Sequence, residues 1–511
     1  MLARINSGAV NGIDAVPVEV EVDITHGFPH VAIVGLPDAG VKESLERVRA
    51  ALTNSGYAAK MAHLTVNLAP ADLKKEGPSY DLPMALGILA GTEQIVSARF
   101  DQYAVVGELA LDGRIRSVRG CLPMAIMCKK EKYRGFVVPA TNAPEAAVVE
   151  GLEIIPVKTL VEAVGFYTSK LPIEPYRLDI AEVFAKAATS YELDFADVKG
   201  QEHVKRALTV AAAGDHNAIM IGPPGSGKTM LAQRIPSILP LLSLEESLET
   251  TKIYSVAGLM RDGQALIATR PFRAPHHTVS DAGLVGGGTF PRPGEVSLSH
   301  HGVLFLDELP EFDRHTLEVL RQPLEDGSVT ISRAKASICY PSQIMLICAL
   351  NPCPCGYHTD PRHECHCTPH QIQRYLSRIS GPLLDRIDIH VDVPAVHYKD
   401  LKSEVTGEPS AHIREQVITA RERQRRRFAG TGIFTNSRMS VKLLKKHCAL
   451  DDDAEDLLST AMTELAFSAR AHNKILKISR TIADLADSEN IRIEHVSEAI
   501  QYRTLDRALW R

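Results

Sequence analysis

The stretch that most constrains this chain is Gly222-Pro223-Pro224-Gly225-Ser226-Gly227-Lys228-Thr229. It follows Ala218-Ile219-Met220-Ile221, a short apolar run that reads as a buried strand. Met230-Leu231-Ala232-Gln233-Arg234 comes next and reads as the first turn of a helix. Strand, glycine loop and helix in that order are what a phosphate-binding loop requires. The glycines let backbone N–H groups converge on phosphate oxygens, and the helix start adds the positive end of its dipole. Lys228 is placed to bridge the terminal phosphates, and the Thr229 hydroxyl to bind Mg²⁺. The expected cofactors are therefore ATP and Mg²⁺, held by residues 222–229 with Met230 at the loop's exit.

A length of 511 residues suggests about two to four domains. Hydrophobic content of 45% and charged content of 23% are ordinary for a soluble globular protein. The net charge of −5 gives no global sign of a nucleic-acid binder, though a basic channel can sit inside an acidic ring. The longest apolar run, Leu82 to Ala90, is far too short to span a membrane, and the N-terminus carries no signal-like pattern. The expected location is cytoplasmic, without membrane attachment. Four of the nine cysteines crowd into Cys353–Cys367, which in a reducing compartment suggests metal.

In the N-terminal third, Val16, Val18, Val20, Val22 and Ile24 alternate with polar residues as a half-buried strand. Asp38 caps a helix whose stripe is Val41, Leu45, Val48 and Leu52, ending near Gly56. Strands are expected at Leu64–Leu68, Tyr103–Val106, Gly135–Val138 and Leu152–Pro156, and helices at Leu82–Leu89, Leu122–Lys130 and Ala143–Glu150. With Glu76-Gly77-Pro78-Ser79 and Gly107-Glu108-Leu109 through Gly120, this block resembles the proteolytic domain of Lon-type proteases. Ser79 falls on the nucleophile position of that resemblance. Leu122 stands where those proteases carry lysine, and a serine without a neighbouring base is a weak nucleophile. The resemblance therefore implies a scaffold and not a protease.

Further along, Asp197-Val198-Lys199-Gly200-Gln201 and an apolar helix (Val204, Leu208, Ala211) precede the phosphate loop. Val303-Leu304-Phe305-Leu306 ends in Asp307 and Glu308, a Walker B pattern: Asp307 for Mg²⁺, Glu308 to polarise the attacking water. Gln343–Leu350 reads as a buried strand with Asn351 at its end. After Pro394 the pattern turns helical. The stripes are Leu457, Leu458, Ala461 and Leu465; then Ile475, Ile478, Ile482 and Leu485; then Val496, Ala499 and Ile500. The whole resembles an AAA+ ATPase with a helical lid. That resemblance implies sensor 1 at Asn351 and an arginine finger at Arg386, lent to a neighbouring subunit. It also implies sensor 2 at Arg470, in the first turn of the second lid helix. The run Arg421-Glu422-Arg423-Gln424-Arg425-Arg426-Arg427 is strongly basic and reads most simply as a solvated helix face.

Arg270-Pro271-Phe272-Arg273-Ala274-Pro275-His276-His277-Thr278, Gly286-Gly287-Gly288 and Pro293-Gly294-Glu295 resemble magnesium-chelatase ATPase subunits. With Asn351-Pro352-Cys353-Pro354-Cys355-Gly356 behind and the Lon-like block in front, the chain resembles the YifB/ComM family of chelatase-like AAA+ ATPases over nearly its whole length. The resemblance implies a hexameric helicase driving branch migration during integration of transforming DNA. A protein-remodelling AAA+ ATPase and a magnesium-chelatase motor subunit are the competing readings. The expected partners are single-stranded or branched DNA and further copies of the chain.

Gly327–Ser337 reads as a β-hairpin whose Arg333 and Lys335 are candidate phosphate contacts. The loops around His276–His277 and Gly286–Gly288 are candidates for a second pore element. Cys353-x-Cys355, nine residues, then Cys365-x-Cys367 can surround one structural Zn²⁺. His358, His363, His366 and His370 compete as ligands, and four ordinary thiols remain the alternative. The expected organisation is α/β multidomain: a Lon-protease-like α+β domain over 1–168, a linker over 169–194, an AAA+ core over 195–395 with inserted β-hairpins and a Cys-rich insert at 352–371, and a helical lid over 396–511.

Overall fold

The structure is a computed structural model describing residues 2–25, 30–58, 63–188, 191–288, 291–333, 336–358, 360–395 and 407–505. The chain is a mixed α/β protein with two compact units, residues 1–186 with 243–268, and residues 187–242 with 269–511. Among the described residues no helix is long and apolar enough to cross a membrane.

In the first unit, strand Asp14–Thr25 pairs antiparallel with Leu2–Asn11 on one side and His63–Ala69 on the other. His30–Val34 joins the far edge in parallel. The alternation read from Val16 to Ile24 is that central strand, and Val18, Val20 and Val22 are its buried face. The Asp38 carboxylate accepts the N–H of Val41 at 2.8 Å, capping helix Ala39–Asn54. A second sheet is fully parallel, in the order Tyr103–Val105, Gly135–Pro139, Glu153–Val157. The helix expected through Glu150 covers only Ala143–Ala146, and the chain then turns at Gly151 (φ +81°) before the last strand.

Residues 243–268, within the span read as ATPase core, pack with this first unit. Ser243 and Glu246 form a capping box that starts helix Leu244–Ala257. Its Ser255 carbonyl accepts the N–H of Gly120 at 3.0 Å, its hydroxyl donates to the buried Glu145 carboxyl, and Lys252 pairs with Asp14 at 2.9 Å. Leu248, Ala265 and Leu266 share a core with helix Cys121–Lys130. So does Phe184, from helix Ile180–Ala188 within the stretch read as a linker.

The second unit is built on a five-stranded parallel sheet. Its order is Phe272–Arg273, Val303–Leu306, Met345–Leu350, Ala218–Ile221, Ile389–Asp392. The central strands are apolar throughout because both faces are covered, as parallel sheets require. The lid helices Ser410–Arg427, Asp452–Glu464, Ala469–Leu485 and Ile493–Gln501 share one continuous core with that layer. Val204, Leu208, Ile475, Ile478 and Val496 are all fully buried in it. The hairpin is present as Ser328–Arg333 paired with Ala336–Pro341. Lys335 lies outside the described residues.

Candidate nucleotide site and cysteine cluster

Strand register decides which side chains meet. Ile221 pairs with Leu350, and Leu306 with Cys348, so Gly222, Asn351 and Asp307 leave the same edge of the sheet. That is the carboxyl edge, where parallel α/β sheets bind ligands. Gly222 must be glycine: a Cβ there would stand 2.1 Å from the Val393 carbonyl oxygen. Gly225 and Gly227 turn the loop with φ of +72° and +90°, and helix Lys228–Ile238 starts directly after them.

Lys228 Nζ donates to the carbonyl oxygens of Gly222 and Pro223, at 2.8 and 2.9 Å, and to Asn351 Oδ1 at 3.2 Å. Burial pushes this ammonium down to about 8, against the pull of Asp307 and Glu308. Thr229 donates its hydroxyl proton to Asp307 Oδ2 at 2.6 Å, and Asp307 Oδ1 accepts the Glu308 N–H at 2.9 Å. Ser226 is buried under the loop, and Met230 is partly exposed on the helix that leaves it. Residues 222–229, Asp307, Glu308 and Asn351 therefore form one site. A hydroxyl and a carboxylate 2.6 Å apart fit Mg²⁺, and a lysine beside a glycine loop fits a triphosphate.

Three features escaped sequence reasoning. Glu308 is in the left-handed region, φ +52° and ψ +45°, which non-glycine residues enter at a cost and most often at functional sites. His277 Nδ1 lies 3.5 Å from Glu308 Oε2, and the His277 ring lies tilted against that of His276, 4.0 Å between centroids. Nothing in the spacing of a histidine pair 30 residues upstream identifies that contact. Gln201, itself at φ +58°, donates its side-chain amide to the carbonyls of Ser226 (2.8 Å) and Pro394 (2.9 Å), bracing the phosphate loop from behind.

The two expected arginines are bonded to other groups of their own chain. Arg386 donates to the Pro382 carbonyl at 2.5 Å and pairs with Glu325. Arg470 pairs with Asp385 Oδ2 at 3.0 Å and is 72% exposed. Each is thus held by a carboxylate of its own chain, and Asp385 and Arg386 are adjacent. Arg333 ends its hairpin strand.

The four clustered cysteines do come together, with ligand atoms all within 4.8 Å of one another. Cys353 Sγ is 3.2 Å from Cys355 and 3.7 Å from Cys365, and Cys355 is 3.6 Å from Cys365. Zn–S bonds of about 2.3 Å in a tetrahedron place sulfurs about 3.8 Å apart, so the set fits zinc. The Tyr357 N–H, with the neighbouring thiols, brings Cys355 down to about 6, the direction that favours a thiolate ligand. His363 pairs with Asp360 at 2.8 Å and stacks on Tyr357.

In the first unit, Ser79 is half-buried. Leu122 is fully buried on its helix and donates its N–H to Glu145 at 2.9 Å. The nearby Lys75 is also buried, lowered by that burial, and donates to the Pro70 carbonyl.

A glycine loop between a parallel strand and a helix, carboxylates on the next-but-one strand and a polar residue on the strand between define an AAA+-type P-loop fold. Comparison with known proteins agrees. Three family descriptions match in sequence: magnesium chelatase, subunit ChlI, over residues 194–401; subunit ChlI of Mg-chelatase over 20–142; and magnesium chelatase, subunit ChlI C-terminal, over 407–503. The chain is 43% identical to competence protein ComM of Haemophilus influenzae over 515 residues, covering 99% of this chain and 98% of the relative. It is 42% identical to the protein YifB of Salmonella typhimurium over 510 residues, again 99% and 98% of the two chains. A partial match to Lon protease 2 of Bacillus subtilis is 27% identical over 142 residues, 27% of this chain and 25% of the protease. The chain belongs to the ComM/YifB family of magnesium-chelatase-like AAA+ proteins.

Proposed function

We propose that the chain is an ATP-hydrolysing ring motor that acts on DNA, a ComM-like branch-migration helicase. The observation that carries the ATPase reading is the convergence of Lys228, Thr229, Asp307 and Asn351 at one sheet edge. DNA as the partner is supported by kinship with a competence protein.

A bound Mg²⁺ would supply positive charge to the triphosphate. Thr229 and Asp307 would hold that ion, and Lys228 would exchange the Gly222 and Pro223 carbonyls for the phosphates. Asn351 Oδ1 keeps the ammonium aimed at the terminal phosphate. Glu308 accepts hydrogen bonds from the attacking water, and its strained backbone presents the carboxylate outward. Arg386, released from Glu325, neutralises charge on the nucleotide of an adjacent copy, so the working form is an oligomer, a hexamer by family resemblance. Cys353, Cys355, Cys365 and Cys367 would hold a structural Zn²⁺. The Lon-like block acts as a scaffold, since Leu122 fills the place of a base.

ATP turnover measured with and without single-stranded and forked DNA tests this reading. The reading expects stimulation by DNA and strand displacement on a forked or Holliday-type substrate. An ATPase indifferent to DNA, with no binding at low salt, would shift the assignment to a protein-remodelling machine.

A further inference from the structure

Between positions 421 and 447 the chain carries nine lysines and arginines against one glutamate, inside a protein of net charge −5. Part of that charge is spent internally. Arg421 donates to the Ala212 carbonyl, Arg423 pairs with Asp487, and Arg427 pairs with Asp484 and Asn436. Arg425, Arg426, Lys442, Lys445 and Lys446 are exposed, and none has an ion-pair partner among the described residues. The solvated-face reading of the basic run therefore holds for Arg425 and Arg426 but not for Arg421 and Arg427.

The free cations lie together. Helix Ser410–Arg427 ends at Phe428, and the Phe428 ring meets His447, the last residue of helix Val441–His447, edge-on at 5.9 Å between centroids. The C-terminal turns of both helices are thus side by side, with Arg425 and Arg426 on one and Lys445 and Lys446 on the other. The surrounding charge is positive: after burial, Lys446, Arg427 and Arg480 each disfavour protonation of His447.

The loop that joins the helices turns at Gly430 (φ +78°) and Gly432 (φ +75°). A Cβ at either would meet nothing within 4 Å, and the loop presents Phe434 at 65% exposure. Helix dipoles account for cations at two C-termini. They do not account for Lys442, in the first turn of its helix where a cation is unfavourable, nor for a bare phenylalanine in the loop that joins the two helices.

We propose that this lid surface binds single-stranded nucleic acid, with Arg425, Arg426, Lys442, Lys445 and Lys446 on phosphates and Phe434 stacked on a base. Unpaired cations give sequence-independent, salt-sensitive affinity, and an exposed aromatic ring is the stacking platform that unpaired bases use. An acidic protein segment would use the cations and leave Phe434 without a role. The choice of polymer rests on the DNA reading above; the surface itself rests on the charges and the ring.

The test is fluorescence anisotropy of a labelled oligothymidylate with the full-length protein, titrated with salt. Lys442→Ala/Lys445→Ala/Lys446→Ala should bind at least about ten-fold more weakly, with the slope of log affinity against log salt reduced by about two. Phe434→Ala should bind about five-fold or more weakly with the slope unchanged. Both should retain DNA-free ATP turnover, which shows that they fold. A wild-type protein that binds while both variants bind equally well overturns the lid surface and leaves the DNA reading standing. A wild-type protein that binds no oligothymidylate overturns both. Equal displacement by poly-L-glutamate, with Phe434→Ala neutral, overturns nucleic acid in favour of an acidic protein partner.

Discussion

Gly356, one residue beyond Cys355, lies directly against Pro224 of the phosphate loop: a Cβ on Gly356 would stand 2.4 Å from Pro224 Cδ. The cysteine cluster and the nucleotide loop are therefore in van der Waals contact, and a proline ring cannot swing aside as a flexible side chain would. Gly356→Ala should weaken ATP binding about ten-fold in a titration with a fluorescent nucleotide. Gly356 also has φ +88°, so the substitution strains the backbone by itself. Gly151→Ala, at φ +81° with nothing within 4 Å, carries the strain without the contact and should leave ATP affinity unchanged.

The same contact predicts what metal removal does. Chelation, or Cys355→Ser with Cys365→Ser, should release about one zinc per chain and lower ATP affinity together, because the loop that backs Pro224 loses its anchor. Wild-type protein purified without metal, with normal ATP affinity, would remove the zinc assignment.

Lys228 sets a pH dependence. Its proton is lost near 8 in the nucleotide-free protein, well below an ordinary lysine, because burial disfavours the charge. Triphosphate binding favours the ammonium, so affinity should be flat below about pH 7.5 and fall as pH rises through 8. Lys228→Met should bind weakly at every pH and show no such fall.

Glu308 and His277 should separate binding from turnover. Glu308→Gln keeps the Asp307 contact through its backbone N–H, so ATP affinity should stay within about two-fold while kcat drops by a factor of about 10² or more. His277→Ala removes the side chain 3.5 Å from that carboxylate and should lower kcat about ten-fold with ATP affinity unchanged. Equal effects on both parameters would make His277 a loop-packing residue.

What could be read from sequence was whatever depends on local pattern. The apolar strand before Gly222, the carboxylates after Leu306 and the four crowded cysteines each announce themselves within a stretch of fifteen residues or fewer. Contacts set by the fold did not: His277 meets Glu308 only because their strands are neighbours, and Gly356 meets Pro224 only because Ile221 pairs with Leu350. The packing of residues 243–268 with the first unit is of the same kind. Helix Leu244–Ala257 has an ordinary capping box, and only burial of Leu248, Ala265 and Leu266 shows which core it serves.

Asp388 ties the lid to the sheet layer and should govern acid stability. Lys474 and His216 each lie 3.0 Å from its carboxylate, and His216 also bonds Thr481 at 2.9 Å. Burial opposes ionisation here, but the Lys474 ammonium and the hydrogen bond from His216 outweigh it and hold Asp388 below the usual carboxylate range. A depressed carboxylate contributes stability above its unfolded value, near 4, and loses it as pH falls towards the folded value. Asp388→Asn should cost roughly 3–5 kcal/mol at pH 7 by leaving Lys474 buried and unpaired. Urea midpoints at pH 7 and pH 3 should therefore differ less in the variant than in the wild type.

Arg386 provides the test of assembly. In its own chain it is paired with Glu325 and bonded to Pro382, and not to Lys228, Asp307 or Glu308. If it serves the nucleotide of an adjacent copy, Arg386→Ala and Lys228→Ala proteins should each be nearly inactive, the former by about 10³–10⁵ in turnover. Mixing the two should restore part of the activity. A site with intact Lys228 then meets a neighbour with intact Arg386. Glu325→Gln frees the guanidinium and should leave turnover equal to or above that of the wild type. A mixture no more active than its components, from proteins that still assemble by light scattering, would place the action of Arg386 within its own subunit.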